Sequence, residues 1–212
     1  MKKGITAIVL FVLWTVLILT VDVQIAGESA TAVGFATFNS WFHQFTGVHM
    51  WIYTATDWLG LVPVFVCMVF GMIGLVQLIK RKSLLKVDFD ITMLGVYYVL
   101  VIVGYLAFEM FPINYRPILI DGRMEASYPS STTLLVLSVM LTFVFQVKRR
   151  MKNSKGQKVM IGVAMIFTFF MVFGRLISGV HWFTDIVGSI LLSTGLFEIY
   201  KASVAGVYKE NE

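Results

Sequence analysis

Residues 174–185 read Gly174-Arg175-Leu176-Ile177-Ser178-Gly179-Val180-His181-Trp182-Phe183-Thr184-Asp185. They set an arginine, a histidine and an aspartate at the junction of two apolar runs, Val159 to Ile177 and Thr184 to Val204. Ionisable groups at the rim of apolar helices cost free energy to maintain, which marks the junction as a candidate functional site. His181 and Asp185 are four positions apart, a spacing that puts them on one face of a helix. The carboxylate would then hold one imidazole nitrogen and leave the other free as nucleophile or base.

Outward from this junction the chain is apolar nearly everywhere. It has 212 residues, 58% of them hydrophobic, and a mean hydropathy of +0.83, which does not suit a soluble domain. Besides the two runs above, four more stand out: Ile5 to Val23, Trp58 to Ile79, Ile91 to Phe111, and the shorter Thr133 to Val147. All are too long for barrel strands and must satisfy their backbone internally, so they read as helices. The expected fold is an all-α polytopic membrane protein, one domain over 1–212 with six transmembrane helices and an interfacial amphipathic helix. The first run follows Lys2 and Lys3 but lacks a small-residue cleavage pattern at Asp22-Val23-Gln24, so it reads as a retained anchor. The single cysteine, Cys67, lies inside the second run and reads as a small buried hydrophobe.

The cations alternate between the ends of the runs. Lys2 and Lys3, then Lys80, Arg81, Lys82 and Lys86, then Lys148, Arg149, Arg150, Lys152, Lys155 and Lys158, then Lys201 and Lys209 all fall at one end. The positive-inside rule makes that end cytoplasmic, with both termini, in the cell (plasma) membrane. The +5 net charge is therefore a topology signal that also meets anionic headgroups, not a nucleic-acid surface. Arg116, Arg123 and Arg175 remain for the outer end, with His43, His49 and His181. Arginines without lysines suggest anion binding, because the guanidinium fork matches phosphate oxygens.

Residues 24–57 read as an outer amphipathic segment. Val33, Phe35, Phe38, Trp41, Phe42 and Phe45 interleave with Thr37, Asn39, Ser40, His43 and Gln44, which suits a helix packed against the bundle or a lid over a lipid tail. Asp88 and Asp90 precede the third run, where they favour a helix N-terminus. Glu109 lies within that run, and a charge there should face protein or water or be protonated. The polar stretch 109–133 then reads as an outer phosphate-binding loop. Its Pro129-Ser130-Ser131-Thr132 looks like a helix start, where hydroxyls and free N–H groups serve as plain N-caps or as an anion site.

Together the three outer segments resemble the type-2 phosphatidic acid phosphatase family of membrane enzymes. That family carries Lys-x6-Arg-Pro, Pro-Ser-Gly-His and Ser-Arg-x5-His-x3-Asp. The counterparts here are Glu109 through Arg116-Pro117, then Pro129-Ser130-Ser131-Thr132, then Gly174-Arg175 through His181 to Asp185. The resemblance implies an outer-face lipid phosphatase without cofactor or metal. His181 would be the nucleophile that becomes a phosphohistidine, and Asp185 would orient it. Arg116, Ser130 and Arg175 would bind phosphoryl oxygens.

The sequence departs from the pattern at Glu109, Ser131, Thr132 and Gly174. Thr132 stands where the family has a histidine that protonates the leaving group, and threonine cannot do this near neutral pH. A lipid diphosphate such as a polyprenyl diphosphate releases a lipid monophosphate, a better leaving group than an alcohol, so the missing acid points to that substrate; one like phosphatidylglycerol phosphate is the other candidate. Arg123 is a candidate to replace the missing lysine charge, and a buried, protonated Glu109 to replace the acid. A degenerate member that binds lipid phosphate without hydrolysis is the alternative, and nothing in the sequence fixes the oligomeric state.

Overall fold

The structure, a computed structural model, describes every residue except Ser29, Asn153 and 210–212. The side chains of Tyr208 and Lys209 also lie outside the described part, so the Lys209 of the charge map has no described position. The helices are α1 (Lys2–Thr20), α2 (Ala36–Thr46), α3 (Met50–Leu59), α4 (Leu61–Arg81), α5 (Phe89–Met110), α6 (Ser131–Arg150), α7 (Lys155–Ile177) and α8 (Phe183–Lys209). Counting α3 and α4 as one, six helices among the described residues are long and apolar enough to cross a membrane. The chain is a polytopic α-helical membrane protein.

The second span is longer than its apolar run. It begins at Met50 because Gly60, between α3 and α4, keeps helical dihedrals of φ −58° and ψ −18°. Pro63 sits in the first turn of α4, where a missing N–H is tolerated. The stretch 24–57 divides where one amphipathic segment was expected. Strands β1 (Gln24–Ala26) and β2 (Thr31–Val33) pair as an antiparallel hairpin. α2 follows as the interfacial helix, its Phe38 and Phe42 rings each 5.2 Å from Phe183 at the start of α8. The first turns of α3 complete the stretch.

α6 is the central helix, and its position explains its short apolar run. Ser138, Thr142 and Gln146 are buried on it; the side chains of Thr142 and Gln146 find partners inside the bundle, whereas the Ser138 hydroxyl has none and only its carbonyl is engaged. Tyr97 Oη donates to the Ser138 carbonyl at 3.3 Å, Tyr98 Oη meets Thr142 Oγ1 at 3.0 Å, and Gln146 donates to Tyr200 Oη at 2.7 Å. A helix that sees protein rather than lipid on most sides need not be uniformly apolar.

α1 and α8 run against each other at glycines. A Cβ on Gly4 would come within 2.7 Å of Ile199, and one on Gly195 within 2.7 Å of Ile8. Near the site, Trp14 Nε1 donates to the Thr184 carbonyl at 3.1 Å. Asp88 is the N-cap of α5 and Asp90 lies in its first turn, as the sequence placed them, and both also tie the basic end of the bundle by ion pairs. Arg81 binds Asp88 at 2.8 Å, and Arg150 binds Asp90 at 2.9 Å, with Asp90 buried.

Candidate active site

Three segments meet at the opposite end of the bundle. The first is the α7–α8 turn. Gly179, at φ +74°, lies so close to the α2–α3 connection that a Cβ would meet the Gly47 carbonyl oxygen at 2.2 Å. Only glycine allows both the left-handed backbone and that approach. His43 Nε2, 3.1 Å from the Gly179 carbonyl, and His49 N–H, donating to the Ser178 carbonyl at 2.9 Å, hold the turn from the other side. His43 and His49 thus position the loop.

His181 is in this turn and not on a helix, so the one-face argument for His181 and Asp185 does not apply. Asp185 is in the first turn of α8, and its Oδ2 accepts from the Trp182 N–H at 2.9 Å. This is the reach-back of a capping box, which anchors the carboxylate. His181 Nδ1 stands 3.9 Å from Asp185 Oδ2, beyond hydrogen-bond range. Ser127 lies between them, its Oγ 3.0 Å from His181 Nδ1 and donating to Asp185 Oδ2 at 2.5 Å. Asn114 donates to Asp185 Oδ1 at 3.2 Å. Sequence reasoning missed Ser127, Asn114 and Trp182.

The second segment is the α5–α6 connection. Arg116 is buried there, its Nε 3.1 Å from Glu125 Oε2 but not aligned as a hydrogen bond. Arg123 is exposed at the tip of the turn, pairing through its backbone with Ile120. Ser130 is the N-cap of α6 and fully buried; its Oγ donates to Thr133 Oγ1 at 3.1 Å and its N–H to the Asp185 carbonyl at 3.4 Å. Glu109 is exposed rather than buried, so the burial expected for a replacement acid is absent. It lines a polar chamber of about 260 Å³ with Arg116, Glu125, Tyr105 and Ser131.

The third segment is α3, whose role the sequence hid. Arg175, at the end of α7, is 2% exposed. Its Nη2 donates to Thr132 Oγ1 at 2.6 Å and to Asp57 Oδ1 at 3.3 Å, and its Nη1 to Thr56 Oγ1 at 3.4 Å. Tyr53 serves both arginines, with the Arg175 guanidinium 4.8 Å and that of Arg116 5.8 Å from its ring. Such cation–π contacts hold guanidiniums without using their donors. A cleft of about 330 Å³, mostly apolar, opens beside Thr132 and Asp57 between α4, α5 and α6.

Four nitrogens in the site are buried without a hydrogen-bond partner: Arg116 Nε and Nη1, Arg175 Nε, and His181 Nε2. Most buried polar groups in folded proteins are paired, so the guanidinium nitrogens are unmet demand for an acceptor and the imidazole nitrogen is an unused polar atom. The two guanidiniums and burial also shift His181. Burial first, then Arg116 and Arg175, hold its pKa well below the ordinary 6.5, so the imidazole is neutral with a lone pair to offer.

A sequence profile of the PAP2 superfamily matches residues 91–206, more than half of the chain. The chain belongs to the PAP2 superfamily. The match takes in Arg116, Thr132, Arg175, His181 and Asp185, whereas α3, which clamps Arg175, lies outside the PAP2 profile. In fold the chain is similar to the first transmembrane PAP2 type phosphatidylglycerolphosphate phosphatase from Bacillus subtilis. The TM-score is 0.67 at 16% identity, covering 95% of this chain and 96% of that one. At that identity the likeness speaks for the fold. No curated protein sequence matches the chain.

Proposed function

We propose that this PAP2 protein is a metal-independent lipid phosphatase of the plasma membrane, acting at its outer face. The observation that carries the reading is the set of four buried nitrogens without a hydrogen bond, three on guanidiniums, of which Arg116 Nε has only a misaligned ion pair with Glu125, and one on a neutral imidazole. They suit a phosphoryl group held by arginines and attacked by His181 Nε2. In the first step the Nε2–P bond forms as the bond from phosphorus to the leaving oxygen breaks. In the second, water attacks phosphorus, inorganic phosphate leaves and the imidazole is restored. Positioning and charge stabilisation carry such transfers. Arg116 and Arg175 are the phosphate ligands of this reading, and the N-terminal turn of α6 at Ser130 adds backbone dipoles.

The leaving group decides the substrate. Thr132 cannot donate a proton near neutral pH, and its hydroxyl accepts from Arg175. A lipid diphosphate, whose leaving group departs as a phosphate anion, needs no acid, and a polyprenyl diphosphate is the favoured substrate class. A phosphatidylglycerol phosphate-like monoester would need Glu109 as acid from its place beside Arg116 in the polar chamber. The cleft beside Thr132 suits a lipid tail, and the basic end of the bundle faces the cytoplasm. One observation favours a second reading, lipid-phosphate binding without turnover: the Thr132–Arg175 bond replaces an acid with an anchor.

The test is phosphate release by purified protein in detergent with EDTA, comparing a polyprenyl diphosphate, a phosphatidylglycerol phosphate and a phosphatidic acid, with His181→Ala alongside. His181-dependent release, fastest from the diphosphate, is expected. No release from any of them by folded protein selects the binding reading, and equal rates on monoesters overturn the leaving-group argument.

A further inference from the structure

We propose that Ser127 is the positioning residue that sets the tautomer of His181 and carries the hold of Asp185 to it. The inference rests on the phosphatase reading for its meaning, but its geometry stands apart from that reading. Asp185 does not touch the imidazole: the nearest approach is 3.9 Å. Ser127 Oγ spans the gap, 3.0 Å from Nδ1 and 2.5 Å from Oδ2.

The proton count leaves one arrangement. A serine hydroxyl has a single hydrogen and two lone pairs. Ser127 gives its one hydrogen to Asp185 Oδ2. Toward His181 the oxygen therefore presents a lone pair, so Nδ1 must carry the ring proton. In a neutral ring that leaves Nε2 with its lone pair, and Nε2 is the ring nitrogen without a partner in the site. The hydroxyl thus selects the tautomer that makes Nε2 the nucleophile.

Ser127 is placed for this by other contacts, so its side chain is not needed for the turn. Its N–H donates to the Asn114 carbonyl at 2.9 Å. Its neighbour Tyr128 lies against Gly188 of α8, where a Cβ would come within 2.3 Å of the ring. The Tyr128 hydroxyl is 2.8 Å from Thr15 Oγ1 of α1. The Ser127 side chain is buried and spends its hydrogen-bonding capacity on His181 and Asp185.

The measurement is nitrogen NMR of the full chain, labelled with ¹⁵N-histidine in detergent micelles. There are three histidines, so His181→Gln assigns the signal by subtraction. Wild type is expected to show His181 with Nδ1 protonated and Nε2 unprotonated. Ser127→Ala should add a population with Nε2 protonated, and Ser127→Thr should restore the wild-type pattern. In turnover, Ser127→Ala is expected to lower kcat by about 10- to 100-fold with little change in KM, the usual scale for one hydrogen bond to a charged group. An unchanged tautomer in Ser127→Ala, or Nε2 protonation in wild type, overturns the inference. Absence of phosphate release by the wild type would defeat the phosphatase reading alone, since the tautomer is read without turnover.

Discussion

Replacing Thr132 by histidine should convert the substrate preference of this protein, and the size of the change follows from two terms. The first is a loss. Thr132 Oγ1 accepts from Arg175 Nη2 at 2.6 Å, and a hydrogen bond to a charged group contributes about 1.5–3 kcal/mol. The second is a gain. A positioned general acid contributes roughly 100- to 10,000-fold, or about 2.7–5.4 kcal/mol off the barrier. Overpacking adds little, because Thr132 borders the cleft of about 330 Å³ and an imidazole has room to enter it. On the proposed reading the loss acts on every substrate, since Arg175 binds the phosphoryl group of each. The gain acts only where the leaving group must be protonated. The ratio of monoester to diphosphate turnover is therefore free of the first term and should rise by the whole of the second, about 100-fold or more. Phosphate release from a phosphatidic acid and from a polyprenyl diphosphate, measured side by side at saturation, gives that ratio. An unchanged ratio, in a variant that unfolds at the wild-type temperature and still binds orthovanadate, would refute the claim that the missing acid sets the preference.

Gly179→Ala should destabilise the protein by about 2–5 kcal/mol, combining the left-handed backbone cost with overlap on the Gly47 carbonyl. Thermal unfolding in detergent checks it, and an unshifted midpoint would show that the turn is not so confined. Arg116→Ala should weaken orthovanadate binding about 10- to 100-fold. Glu125→Gln, which removes the carboxylate 3.1 Å from Arg116 Nε, should tighten it by no more than about fivefold, because Glu125 is partly exposed. Titration by calorimetry separates the two. His181 also imposes a pH dependence. Its folded pKa is held low, so below about pH 6.5 the unfolded chain binds a proton that the folded chain refuses. Stability should then rise with pH between the depressed value and the ordinary one. His181→Asn should flatten the change in unfolding midpoint between pH 5.5 and 7.5 by that contribution; an identical slope would count against a neutral buried imidazole.

Much of this architecture was legible because lipid imposes a simple rule on composition. The apolar runs of α1, α5 and α7 face outward along most of their length, and their hydropathy announces them. α6 was the faintest because it is central, and Ser138, Thr142 and Gln146 answer to neighbours rather than to lipid. The hairpin 24–33 left no trace, since strands of three residues carry too little alternation to read. In the candidate site, His181, Asp185, Arg116 and Arg175 could be singled out from the charge map and the family resemblance, but their connections could not. Gly179 ends the helical path before His181, so the four-residue interval does not act as a helical face. Ser127 was one polar residue among many in the stretch 109–133, two ahead of Pro129, where the helix start was read. Asp57 and Tyr53 sit in an apolar stretch far from every motif, and only the packing of α3 on α7 brings them to Arg175.

The contact between α1 and α8 sets the order in which this protein can be assembled. Trp14 and the carbonyl that it binds are 170 residues apart in the chain. Helix α1 enters the bilayer with its glycine face and its indole unmatched, and stays so until α8 arrives. The turn that bears His181 immediately precedes α8, and the Asp185 carboxylate is within it. A nascent chain halted short of α8 thus carries Arg116, Thr132 and His181 but lacks Asp185, and its α1 has no partner. The proposed chemistry would become available in the same event that docks α8 on α1, so biosynthesis would pass through no active half-built state.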